Sequence, residues 1–580
     1  MRARPPFQHC LVTVLALVAL LLPVPATPGQ EGPARAGEAT LVHADDALAR
    51  AVARLCLAAQ TAPPPAVSPL PATELERALL RIPAGRLSPR LQAEHRRLLE
   101  LTRARITPDS LRPDGTADPL TAQFAPAGNG PARPPAGRVG AVSTLEGYFH
   151  SGSQADEWRY AYPDRTSLLT VPVRVWPLPN LYVRVDVDLK QNYTTYPGTE
   201  TINPDPLVNV PLDVREVHAQ FPDVAVLSAA GRHWSVQWGR DRAGWGLGET
   251  GSLILGDHNE YYDFVSAALV SDLVSYRALY VDLEPWTDGG GTADERAAIY
   301  HRLEGTFFPW LTATANELML FTNKPMELRY LNPFYFMHNY FIPGLSNSLV
   351  SLELALRPLP GLEIYGHFAM DQIQSGLERE RGTYVNYEPE AFGYLAGARY
   401  TMPIAPGWIT MGTEWVFTDP WMFLGRTRLQ SLTYRRRVQA ENVDPNGTKI
   451  IVERSLGYPE GSDYYGITLY TDAVLWTHYR LTAQARYAVK GENTVSRPVD
   501  VADEADALRE TPSGPAPETR LEGRLEGRAD LARFPVLGLP ARLEAAFTLD
   551  LIHEWNDDQN EGRRYTDVQF SPSITFSVAY

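Results

Sequence analysis

The sequence predicts an all-β transmembrane barrel of about 16 to 18 antiparallel strands, 18 favoured, preceded by a small α-helical unit. Three observations predict it. From Val139 onward apolar residues recur at every second position, the period of a strand with one apolar face. Tight Pro-containing turns alternate with long polar connections, the asymmetry of an outer-membrane barrel. The chain opens on an export signal, and no later apolar run nears the ~20 residues that a membrane-spanning helix needs.

Composition bounds the rest. A chain of 580 residues with 28 Tyr, 19 Phe and 12 Trp carries too many apolar rings to stay disordered in water. Two Cys exclude a disulfide framework, and a net charge of −15 argues against a nucleic-acid partner. The mean hydropathy of −0.24 resembles that of a soluble protein, but a barrel alternating lipid-facing and lumen-facing residues averages to a similar value.

Residues 1–26 read as a secretory signal: Arg2 and Arg4 precede an uncharged run from Leu11 to Leu22, and Val24 and Ala26 are the small residues that precede cleavage. Ala34 and Ala36 offer an alternative site after residue 36. Cys10 is lost with the signal, which leaves Cys56, placed as a small core hydrophobe in AVARLCLAAQ. Over residues 44–106 the spacing of Leu48, Val52, Leu55 and Ala59, and of Leu91, Leu98 and Thr102, predicts three helices, expected in the periplasm. The second opens at Thr73 to Glu76, a capping-box spacing, and the third at Ser88 followed by Pro89. Arg90, Arg96, Arg97, Arg103 and Arg105 give the last helix a basic face, either solvated or touching anionic lipid A or polysaccharide. Residues 107–137 are a Pro- and Gly-rich linker.

The barrel is expected over residues 139–580. Leu181, Val183, Val185, Val187 and Leu189 alternate with Tyr182, Arg184, Asp186 and Asp188, and the same grammar recurs at Leu352 to Met370 and Tyr394 to Phe417. The last strand finishes on Tyr580, the aromatic end that barrels present to their assembly machinery, and it closes the sheet without a frayed edge.

Within that pattern residues 302–372 carry Glu317, the run Arg329 to Pro333 with the aromatics that follow, Asn347-Ser348, and a strand pair around Pro358 to Pro360 that ends in Tyr365 and Asp371. Together with the Gly- and Trp-rich stretch 237–257, this segment resembles the Wzi-like capsule-assembly outer-membrane proteins. The resemblance implies an 18-stranded barrel with a periplasmic helical bundle. It also implies binding of exported polysaccharide at the cell surface in capsule or exopolysaccharide assembly, with no reaction. The longer Pro-rich linker and the loops 418–464 and 490–518 depart from it.

Nucleophile elbows, phosphate-binding loops and Cys/His metal spacings are absent from the sequence, so no catalytic residue, metal or cofactor is expected. His301, His338 and His367 would form a metal cluster only if the fold gathered them. The aromatics at 330–341 have two readings. They form an interfacial girdle and a packed plug, or Tyr330, Tyr335 and Tyr340 stack on sugar rings while Arg329, Asn332 and Asn339 supply hydrogen bonds. Trp238, Arg240, Arg242 and Trp245 share both readings. The expected protein is a monomer of the bacterial outer membrane whose partners are its lipid and lipopolysaccharide, the assembly machinery and a surface polysaccharide. The competing function is a porin or substrate-specific channel, since a barrel of this size has an aqueous lumen unless something fills it. An inward fold of residues 323–346 is expected to decide between them.

Overall fold

Eighteen antiparallel strands close on one another between Ala136 and Ala579. The computed structural model describes residues 38–106, 136–151, 165–191, 194–195, 202–203, 208–211, 222–286, 294–324, 327–332, 346–372, 389–440, 448–476, 478–495, 497–499 and 509–579. The predicted signal, residues 107–135 of the linker, and Tyr335, Asn339, Tyr340 and Tyr580 lie outside them.

The wall begins with β1 (Ala136–Glu146, continued by Phe149–His150), β2 (Leu169–Leu178), β3 (Leu181–Leu189), β4 (Val224–Gly231), β5 (Trp234–Asp241) and β6 (Tyr262–Val270). It continues with β7 (Val274–Trp286), β8 (Asp294–Phe308), β9 (Leu311–Thr322), β10 (Ser346–Leu359), β11 (Leu362–Gln372) and β12 (Ala391–Ile404). It ends with β13 (Gly407–Thr418), β14 (Tyr464–Leu475), β15 (Tyr479–Lys490), β16 (Glu518–Val536), β17 (Leu539–Trp555) and β18 (Arg564–Ala579). Closure is made by β18 on β1, from Ser573 opposite Glu146 to Ala579 opposite Gly140. The sheet therefore has no free edge, which a bilayer does not tolerate. The wall starts at Ala136, three residues before the expected Val139.

Eight connections, such as those from Leu359 to Leu362 and from Val536 to Leu539, span two or three residues, and all lie at one end; the other end carries the long connections. In the turn after Leu359, Gly361 has φ 85° and a Cβ there would stand 2.4 Å from the Thr401 carbonyl oxygen, so this tight turn requires glycine. The period-2 pattern sorts the side chains as predicted: Leu352 and Leu354 of β10 are exposed to the outside, while Ser351 and Glu353 are buried inside. Two further strands, Thr433–Ala440 and Thr448–Ser455, pair with each other in the long loop between β13 and β14 and stay outside the barrel sheet.

Three helices precede the barrel: α1 (Ala47–Ala58), α2 (Ala72–Leu80) and α3 (Pro89–Ile106). Asp46 caps α1 by accepting from the Leu48 N–H. The capping box expected from Thr73 to Glu76 does not form. The helix starts one residue earlier behind Pro71 with no side-chain cap, and Glu76 instead pairs with Arg103 of α3 at 2.7 Å. Pro89 opens α3 as expected. Its basic residues are partly spent on such pairs, Arg97 with Glu94 and Arg105 with Asp46. Cys56 is fully buried between α1 and α2, and burial pushes its thiol up to about 12, so the bland core role is the one it holds.

The helices sit at the short-turn end and reach into the barrel. The Gly361 N–H donates to the Leu57 carbonyl at 2.8 Å, and Gln60 Nε2 donates to the Arg357 and Pro358 carbonyls. Trp176 Nε1 of β2 donates to Thr40 Oγ1 at 2.9 Å, and Arg277 of β7 meets Glu74 of α2 at 2.5 Å with both side chains buried.

Candidate functional site

The lumen is filled from both ends. After β5 the chain does not turn straight back into β6: residues 242–261 dip inward, where Gly244 and Trp245 pair with Ser68 and Val67 of the helical segment. Leu253, Ile254 and Leu255 are fully buried there, and the Gly256 N–H donates to the Leu456 carbonyl of the loop between β13 and β14. The glycines of this stretch permit the excursion: Gly246 and Gly251 have φ 132° and 150°, and the latter approaches Pro459.

One carboxylate pins this insert to the wall. Glu414 of β13 accepts from the N–H groups of Glu249 and Thr250, each at 2.8 Å, from the Thr250 hydroxyl, and from the Tyr365 hydroxyl of β11 at 2.6 Å. Burial holds the Glu249 carboxyl above the usual carboxylate range, partly offset by Arg399. His258 of the same insert is pushed down to about 4 by burial.

The inner wall behind the insert is a dry ion network. Arg302 of β8 reaches Glu353 of β10 at 2.7 Å and Glu304 at 2.9 Å, and Asn316 Nδ2 also donates to Glu353; the Arg302 and Glu353 side chains are 1% and 0% exposed. Arg357 and Arg399 share Glu363 in the same way. Such pairs survive burial only when their hydrogen bonds are well satisfied.

The opposite wall, from β15 to β17, carries the same residue types in a different state. Arg486 pairs with Glu522 at 2.9 Å and Arg524 with Asp550 at 2.8 Å, yet Arg524 and Glu526 keep 31% and 28% of their side-chain surface. This sector of the lumen is open to water. The half-solvated groups of this ladder, Arg524 and Glu526, can exchange hydrogen bonds for those of a polar ligand at low cost, while Glu522 and Asp550 stay buried.

The residues expected from sequence are dispersed. Segment 327–332 does not turn inward. On β8, Ala298, Tyr300 and Arg302 face the lumen, so Ala297, Ile299 and His301 face out, and Tyr330 packs on this outer face with Met319 and Phe321. Its ring lies 5.6 Å from that of Phe321, and its carbonyl accepts from His301 Nε2 at 2.7 Å, while His301 Nδ1 meets the Tyr276 hydroxyl at 2.6 Å. Arg329 is exposed, paired with Glu327 at 2.8 Å, and Asn332 is exposed beside it. Residues 325–326 and 333–345 of the segment 323–346 lie outside the described residues; among the described ones the lumen is occupied by 242–261 and by the loop after β13.

Trp238 points outward on β5, 49% exposed toward the lipid side, because Ser235 and Gln237 take the inner positions. Arg240 makes a two-pronged pair with Asp263 and lies 4.0 Å over the Tyr261 ring, which Arg436 covers at 4.7 Å. Arg242 pairs with Asp45, and Trp245 is buried edge-on to Tyr300 at 5.9 Å. Trp238 and Trp245 therefore offer no ring face to a surface ligand. His301 and His367 stand on opposite faces of the wall and His338 lies outside the described residues; among those residues no group of His, Cys, Asp or Glu is placed to hold a metal ion.

No family model and no curated protein matches the sequence. Among solved structures the chain is similar to Wzi, an outer-membrane protein involved in group 1 capsule assembly in Escherichia coli and a carbohydrate-binding β-barrel. The identity is 13% and the TM-score 0.55, over 93% of this chain and 99% of that one. It is also similar to OprD of Pseudomonas aeruginosa, at 9% identity and a TM-score of 0.37 over 76% of this chain and 95% of that one. A likeness of this kind establishes the fold: the chain has the architecture of an outer-membrane β-barrel.

Proposed function

We propose that the protein is a non-enzymatic outer-membrane barrel that binds exported polysaccharide at the cell surface, in capsule or exopolysaccharide assembly and attachment. The observation that carries the reading is the internal insert: residues 242–261, pinned by Glu414 and packed on the helical segment, occupy a lumen that a simple porin leaves free. Full-length similarity to a carbohydrate-binding barrel supports the same reading. Short turns of such barrels face the periplasm, which supports a periplasmic position for the helices and an outer one for the long loops. The chain is exported by its signal, inserted by the barrel assembly machinery, embedded in lipid and lipopolysaccharide, and acts as a monomer with no cofactor and no turnover. Arg329 and Asn332, exposed beside the outer strands, belong to the glycan-facing surface with the loops around them.

The half-exposed ladder on β15–β17 favours a second reading, a substrate-specific channel. Deleting the gene in its host and measuring retained against released polysaccharide separates the two. Polymer shed into the medium is the expected outcome; an unchanged ratio together with stable open-pore conductance in planar bilayers would promote the channel.

A further inference from the structure

The short-turn end of the open sector concentrates arginine beyond what the fold neutralises. Arg480 of β15 and Arg528 of β16 both face the lumen and stand directly opposite each other in register. Like charges at directly opposed positions destabilise a sheet, so the arrangement has a cost that packing does not explain. From the insert side, α1 brings Arg50 and Arg54 to the same place. Asp472 of β14 bridges the two surfaces, bonded to Arg480 at 2.8 Å and to Arg54 at 3.4 Å.

That is one carboxylate among four guanidinium groups. The other acids of the neighbourhood are engaged: Glu526 with Thr482 and Arg524, Glu249 with Arg399, Asp45 with Arg242, and Glu94, which also acts on Arg54, with Arg97. Arg528 is exposed and makes no side-chain hydrogen bond or ion pair among the described residues, and the Arg50 guanidinium makes no hydrogen bond there. Burial first, then the nearby Arg480, lower Arg50 to about 10, partly offset by Asp472 and Asp45.

We propose that this cleft, between α1 and the inner wall of β14–β16, binds the anionic substituents, carboxylate or phosphate, of a glycan strand that enters the open sector from the short-turn end. The inference rests on the polysaccharide reading above and specifies the chemistry and the place of that binding. Planar guanidinium groups on two facing surfaces can grip a carboxylate or phosphate in two-pronged fashion, which a neutral sugar cannot repay. Arg528 and Arg50 are the free jaws, and Arg54 and Arg480 are held in place by Asp472.

The test uses the full chain in detergent micelles at low salt, titrated with oligogalacturonate, with maltohexaose and with inorganic phosphate. The expected result is about tenfold tighter binding of oligogalacturonate than of maltohexaose, weakened by added salt and competed by phosphate. Arg528→Gln and Arg50→Gln should each weaken the acidic ligand several-fold and leave maltohexaose unchanged. Arg528→Lys should retain most of the binding, and Arg533→Gln, exposed near the end of β16, should match the wild type. Equal affinity for both glycans, with the glutamine variants inert, would overturn the cleft and leave polysaccharide binding standing. If neither glycan binds while phosphate does, and Arg528→Gln abolishes it, the glycan assignment falls together with the reading it rests on. Heat-modifiable migration of each variant confirms a folded barrel before titration.

Discussion

The two halves of the inner wall are built from the same residue types and behave as opposites. On β8–β11 the pairs Arg302–Glu353 and Arg357–Glu363 are sealed behind the insert and the helices, while on β15–β17 Arg524 and Glu526 keep 31% and 28% of their side-chain surface beside the buried Asp550. The difference lies in what stands in front of the wall. It teaches that ion pairs in a barrel lumen differ according to their covering, so the first half is a sealed foundation and the second a partly solvated surface.

The largest expected effect breaks that foundation. Arg302→Ala leaves Glu353 as an uncompensated buried charge and should cost about 3–5 kcal/mol, against about 1–3 kcal/mol for Arg524→Ala, where Asp550 stays buried but the guanidinium that leaves is replaced by water. Denaturant titrations followed by the gel shift of the folded barrel measure both. Equal costs would erase the distinction between the sectors.

Next in size is the pin that separates them. Glu414→Gln keeps the shape but weakens an acceptor that serves two N–H groups and two hydroxyls, which should loosen the insert by about 1–3 kcal/mol. Hydrogen exchange at residues 247–251 should accelerate, and single-channel recordings should show brief openings that the wild type lacks. A silent variant in both measurements would mean that the insert is held by its apolar contacts alone.

How much of this was legible in the sequence follows from the range over which each signal acts. Alternation is local, so the hairpin Leu352 to Met370 and the barrel as a whole could be read from it. Facing is not local. A period of 2 separates two faces without saying which is inside, and for that reason the sequence left segment 327–332 open between an outer girdle, an inward plug and a sugar platform, while its described residues lie on the outer wall. One sign was available: His301 and Glu317 interrupt the outward apolar positions of β8 and β9, and a polar pair there needs a cover such as the Tyr330 segment supplies. The cleft residues Arg50, Arg480 and Arg528 are far apart in the chain, and only barrel closure and the docking of α1 bring them together.

The insert also carries a pH dependence. His258 is lowered from 6.5 to about 4 by burial, so the unfolded chain takes up its proton first as the medium is acidified. Stability is fully present above pH 6.5 and is lost as pH falls toward 4, by about 1–3 kcal/mol. His258→Gln should flatten this profile, measured as urea midpoint against pH; the same slope in the variant would place the sensitivity elsewhere.

The smallest effect sharpens the boundary between lipid and ligand surfaces. Trp238 sits among outward positions of β5, opposite Leu227 on one side and Val265 on the other, where an aromatic ring is at home at the membrane interface. A ring with that task is replaceable by another of similar shape. Trp238→Phe should therefore change stability by less than about 0.5 kcal/mol and leave glycan affinity untouched. Arg329→Ala, on the exposed segment beside it in the sequence reading but not in space, should lower that affinity by about 1–2 kcal/mol, the loss of one charge-assisted hydrogen bond. Titration of both variants against one polymer measures the contrast. A loss in Trp238→Phe as large as that in Arg329→Ala would show that the outer face of β5 meets sugar, and the line between the membrane-facing wall and the glycan-facing surface would have to be redrawn there.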